Sequence, residues 1–178
     1  MKTKDKDCIT KKVKQVVMDN SENALKKIGT AIGTGLIAGL AGTIAITISQ
    51  MIEMKITGRK GSNTPANAVR EVLDIKPITE GKAKKVSNEV HWIYGTDLGV
   101  VRGALSLAGL KGWMATAVHF ASIWGAEMVM LPALRVAPPV TKEDPKSIAI
   151  DGLHHLVYAV AAGIVFDAIN KQKPAGKY

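Results

Sequence analysis

Apolar residues gather in four long runs, at residues 28–54, 90–110, 113–134 and 146–170, separated by polar and basic stretches. At about 1.5 Å of rise per residue, each run is long enough as a helix to cross about 30 Å of hydrocarbon. In the first, third and fourth runs the apolar positions continue nearly all round the helix, as they do in a membrane span. A soluble four-helix bundle, with its ionisable residues on a wet face, is the competing architecture. The pattern predicts an all-α chain, an integral membrane four-helix bundle with short interfacial amphipathic helices. Residues 1–27 form a basic lead in which Ile9, Val13, Val16 and Val17 recur at helical spacing between lysines. That spacing suits a surface-lying amphipathic helix, or the segment is a plain polar tail. The lead is too long and too acidic for a signal peptide, with Asp5, Asp7, Asp19 and Glu22, so the first run is expected to remain as a span.

The connections carry their own signals. In the basic loop 55–86, Thr64-Pro65 reads as a helix start, and Ala66, Val69, Val72 and Leu73 give an apolar stripe that ends before Pro77. Lys111-Gly112 reads as a tight connection, Asp144-Pro145 as the cap of the fourth helix, and residues 171–178 as a short basic tail.

Small residues line the runs at helical intervals. Gly29 with Gly33, Gly35 with Gly39, and Ala45 with Ser49 lie four apart in the first run. Gly95, Gly99 and Gly103 form a continuous groove in the second; Ala117, Ala121 and Gly125 repeat in the third; Ala159, Ala162 and Gly163 lie in the fourth. Such stripes let helix backbones approach where lipid supplies no hydrophobic drive. Composition agrees. The 178 residues suffice for one domain and include 17 glycines but only two Phe, three Tyr and three Trp, fewer aromatics than a soluble core of this size would use.

The net charge of +9 sits mainly outside the runs, in residues 2–27 and 55–85, where it suits the lipid bilayer and its anionic headgroups. No nucleic-acid motif or aromatic interleaving accompanies it, so no nucleic-acid partner is expected. Lysine and arginine divide almost evenly between the two sides, which leaves the orientation open. Cys8 is the only cysteine, which excludes an intrachain disulfide and a cysteine-based zinc site.

The chemistry lies in ionisable residues inside the runs, where each costs free energy. With neighbouring spans antiparallel, Glu53, His91, Asp97, Glu127, Asp151, His154 and His155 fall in the half nearest the end of the first span. The other half holds His119 and Asp167, with Arg102 near the middle. Asp151 and His155 share one face of the fourth helix, and His154 points about 100° away. Glu53, His91 and Asp151 would also be at ease at headgroup level. Asp97, Glu127 and His155 lie deeper, and together with His154, Asp151 and His91 they are read as a polar cavity or proton relay. Arg102 and Glu127 are expected to form a buried ion pair, the economical way to hold both charges. No resident cofactor or catalytic residue is expected, since neither HExxH nor GxSxG occurs and the paired ExxH of di-iron sites is missing. The alternative is a divalent metal on Glu127, Asp151 and His155, with His91 a further candidate. His119 and His155 differ in depth, which argues against a haem between them.

The stretch His154-His155-Leu-Val-Tyr158, the Ala/Gly run after it and Asp167, with AGLAGTIA in the first run and HFASIWGAEMVMLPAL in the third, resembles small bacterial inner-membrane proteins of the YagU-like, unknown-function kind. The resemblance spans about residues 28–169 and implies a multi-pass protein of the bacterial inner (plasma) membrane. It carries over no site residues. The leading expectation is a non-enzymatic membrane protein with a protonatable polar cavity, serving proton-linked transport or pH and stress homeostasis. Four spans are few for a complete transporter, so transport would imply a homo-oligomer. A metal-binding protein or metalloenzyme is the first alternative. A structural or partner-binding bundle is the second.

Overall fold

The computed structural model describes residues 3–76 and 78–171; within the first helix it leaves the side chains of residues 3–11 and 13 undescribed. Ile9, Val13 and the tail beyond Lys171 therefore lie outside the described parts. The described chain is all-helical: α1 (Thr3–Thr57), α2 (Thr64–Leu73), α3 (Glu80–Leu107), α4 (Gly112–Ala133) and α5 (Pro145–Lys171), with a single 3-10 turn at Val140–Lys142.

α1 runs through the boundary expected at residue 27 without a break. Between Thr3 and Ile28 the sequence has neither proline nor glycine to interrupt backbone hydrogen bonding. Residues 14–30 are exposed, and burial begins at Ala31 and recurs at Thr34, Gly35, Ala38, Gly39, Gly42, Thr43 and Ile46. That is the three-four spacing of one helix face. α3 packs antiparallel along this face, with Gly103 meeting Ala31, Gly99 meeting Gly35 and Gly39, Gly95 meeting Thr43, and His91 bonded to Thr47. From residue 31 to 47 the contact runs for about 24 Å. Its centre is backbone on backbone: a Cβ added at Gly35 would stand 2.6 Å from the Gly99 carbonyl oxygen. Gly29, Gly33 and Gly125 have open space instead.

α5 lies beside α1 on its other flank, with Tyr158 against Gly42 and Ser49 bonded to His154. α4 closes the bundle against α5, where Gly163 meets Thr116 and Gly152 meets Trp124. The turn between α3 and α4 is tight. Gly109 adopts a left-handed φ of +89°, and the Leu110 amide closes back on the Leu105 carbonyl at 2.9 Å. The turn thus falls just before Lys111-Gly112, and Gly112 opens α4. At the start of α5 the Ser147 amide donates to Asp144 Oδ2 at 3.2 Å, the expected cap. α2 begins at Thr64 as expected but is capped one step earlier. Its amide at Thr64 donates to Ser62 Oγ, and the Ala66 amide donates to Ser87 Oγ of α3.

Three helices are long and apolar enough to cross a membrane: Lys14–Thr57 within α1, Gly112–Ala133 and Pro145–Lys171. α3 does not qualify. The second run, expected at residues 90–110, carries His91, Asp97 and Arg102, and α3 reaches back through the charged residues 80–89.

Candidate functional site

The half of the bundle at the C-terminal end of α1 gathers polar side chains from all four long helices. His155, one turn beyond Asp151 on α5, is the centre. Its side chain is 9% exposed, and its Nε2 lies 2.9 Å from Glu127 Oε2 of α4. Its Nδ1 donates to the Asp151 carbonyl at 2.9 Å and lies 3.5 Å from Asp151 Oδ2. Asp151 Oδ2 in turn accepts from the Trp124 indole at 2.9 Å. A carbonyl oxygen only accepts, so Nδ1 carries a hydrogen. The 2.9 Å approach of Nε2 to Glu127 Oε2 is a hydrogen bond, so one of those two atoms carries a proton.

Two more histidines flank this pair. Thr47 Oγ1 donates to the Thr43 carbonyl at 2.6 Å, so His91 Nε2, 3.0 Å from the same hydroxyl, must be the donor. His154 Nδ1 lies 2.8 Å from Ser49 Oγ of α1, while its Nε2 is buried without a partner among the described residues. Deeper in, the Tyr158 hydroxyl donates to the Gly95 carbonyl at 2.6 Å, and its ring meets His119 edge-on at 5.8 Å. His119 Nε2 donates to the Leu98 carbonyl at 3.1 Å.

The structure therefore brings Glu127, Asp151 and His155 into contact and sets His91 and His154 on the adjoining walls. Asp97 does not join them. It is exposed on α3, about 200° round the helix from Gly95 on the face packed against α1. The expected pair of Arg102 with Glu127 is also corrected. Arg102, fully buried, bonds through Nη2 to Asp167 Oδ1 at 2.5 Å and stacks its guanidinium 4.6 Å from the Phe166 ring centre. Antiparallel packing explains the exchange. Glu127 is level with residue 155 of α5, and Asp167 lies about 18 Å further along that helix, where Arg102 is. Asp167 was visible in the sequence as an ionisable residue in an apolar run, but only the helix register identifies it as the partner. Thr43, Thr47 and Ser49, which orient the histidines, gave no signal beyond ordinary small polar residues.

For a metal, Glu127 and Asp151 would have to converge with one nitrogen of His155. They approach opposite nitrogens of the ring instead, and among the described residues no three His, Cys, Asp or Glu side chains group to hold an ion. Two surface depressions lie away from the cluster, an apolar groove along α5, at Leu156, Val157, Val160, Ala161 and Ile164, and a hollow at residues 132–139. No family model, curated protein or solved structure matches the chain.

Proposed function

We propose that the chain is a multi-pass protein of the bacterial inner membrane, whose four long helices cross the bilayer and whose His155–Glu127–Asp151 cluster relays protons within it. The service is proton-linked transport or pH and stress homeostasis rather than catalysis. The observation that carries the reading is the 2.9 Å approach of His155 Nε2 to Glu127 Oε2 inside a bundle with three helices of membrane-spanning length. An intramembrane ionisable pair costs free energy to keep and is by default functional. α3, less apolar than the rest, crosses as the inner partner of α1, with His91 bonded to Thr47 and Arg102 to Asp167. The basic flanks rest against anionic headgroups.

Fractionation comes first. The protein should pellet with membranes and need detergent for release; recovery in the detergent-free supernatant refutes the membrane reading. Proton flux into proteoliposomes under an imposed pH gradient then tests the relay. Glu127→Gln and His155→Ala should each cut the flux at least tenfold. Flux that these substitutions leave unchanged selects the structural alternative.

A further inference from the structure

Asp97 is the charged residue that the bundle leaves over. Thr96 and Gly99, on either side of it, contact Gly39, near the middle of the apolar run 28–54, so Asp97 stands at mid-depth. Yet it is exposed and makes no hydrogen bond or ion pair with any described residue. On the membrane reading just proposed, on which this inference rests, its carboxylate would face acyl chains. Ionisable residues at that depth face protein or water.

One donor accompanies it on the outside of the bundle. The Leu98 carbonyl meets His119, which fixes the antiparallel register of α3 and α4 and puts Ser122 within about one helical turn of Asp97 in depth. Ser122 is exposed, and its hydroxyl has no hydrogen-bond partner among the described residues. α4 beside Asp97 has the most open surface of the three apolar helices. Ala117, Ala121 and Gly125 are exposed along it, and a Cβ added at Gly125 would meet nothing within 4 Å.

We infer that this α3–α4 face is the contact between two copies of the chain, with Asp97 accepting from the partner's Ser122. A two-fold axis parallel to the helices preserves depth, so an acceptor and a donor at one level are brought together reciprocally. The small residues of α4 let the backbones close to the distance such a bond needs. An unrelated partner would have to bring its own donor; a second copy already has one, at the right level.

The test uses the full chain, released from washed membranes, reconstituted in lipid vesicles and read by single-molecule photobleaching over a range of protein-to-lipid ratios. The expected result is a dimer, with the dissociation constant raised at least tenfold by Asp97→Ala and by Ser122→Ala, and no further in the double variant. Asp97→Asn, which keeps an accepting oxygen, should dimerise more strongly than Asp97→Ala. In a Cys8→Ser background, Ala121→Cys should cross-link two copies on mild oxidation. An inserted protein that stays monomeric at every ratio, or a dimer that Asp97→Ala leaves unchanged, overturns the inference. Neither result touches the membrane reading, which fails only if the protein leaves the membrane without detergent, and neither depends on proton flux.

Discussion

Replacing Gly39 by alanine should separate α1 from α3, whereas the same change at Gly33, six residues away on the same helix, should not. At Gly39 the added Cβ would lie 2.9 Å from both the N and Cα atoms of Gly99, and closer still to the Thr96 carbonyl oxygen. Ordinary contact starts near 3.4 Å. The obstructing atoms are all backbone, so no side chain can rotate away, and the helix axes must part by about 0.5 Å or more if the seam is to accept the methyl. Overpacking of this kind costs about 1–3 kcal/mol. Alanine's advantage over glycine in a helix returns about 0.5–1 kcal/mol. The net expectation for Gly39→Ala is a loss of up to about 2.5 kcal/mol. At Gly33 nothing lies within 4 Å, so only the helical gain remains and Gly33→Ala should stabilise by about 0.5–1 kcal/mol. Equilibrium unfolding in mixed micelles, titrated with a denaturing detergent and followed by tryptophan fluorescence, reads both variants against the parent. Opposite signs are the signature. If Gly39→Ala matches Gly33→Ala, the backbone seam between α1 and α3 does not exist.

Two further substitutions test the polar interior. Asp167→Asn should destabilise by about 3 kcal/mol, the low end for breaking a buried pair because Asp167 is 29% exposed, and Arg102→Gln added to it should restore most of the loss in the same unfolding assay. Glu127→Gln, measured beside it, should leave that pair untouched and additive. Tyr158→Phe removes a hydrogen bond to a carbonyl that keeps its place in the α3 helix, so a loss of about 0.5–1.5 kcal/mol is expected, and a larger one would show that the hydroxyl holds more than Gly95.

The glycine groove at Gly95, Gly99 and Gly103 and its counterpart at Gly35 and Gly39 are legible in the sequence, because small residues four apart mark a close approach of helix backbones. So is the shared face of Asp151 and His155, which four-residue spacing fixes within one helix. What periodicity cannot supply is the identity of the neighbour. Arg102 could be placed in an apolar run, but its choice of Asp167 over Glu127 depends on the sliding register of α3 against α5, which only the packed seams determine. Asp97 shows the same limit from the other direction. Depth could be counted along the helix, and azimuth relative to Gly95 and Gly99 was there to be read, yet depth alone drew Asp97 into the cluster. The unbroken α1 departs from the boundary expected at residue 27, because polarity alone does not stop a helix that holds neither proline nor glycine before Gly29.

The bundle is held in two different ways, and this has a mechanical consequence. Between α1 and α3 the central contact is main chain against main chain, with no rotamer to change and almost no free volume to compress. Between α4 and α5 the contact is made by Trp124, Glu127, His155 and Thr116, side chains that can re-pack by turning single bonds. One half is therefore stiff and the other compliant. A strain entering the molecule, such as a shift of charge at His155, would be taken up first where α4 meets α5. The α1–α3 pair serves as the frame against which that displacement is measured.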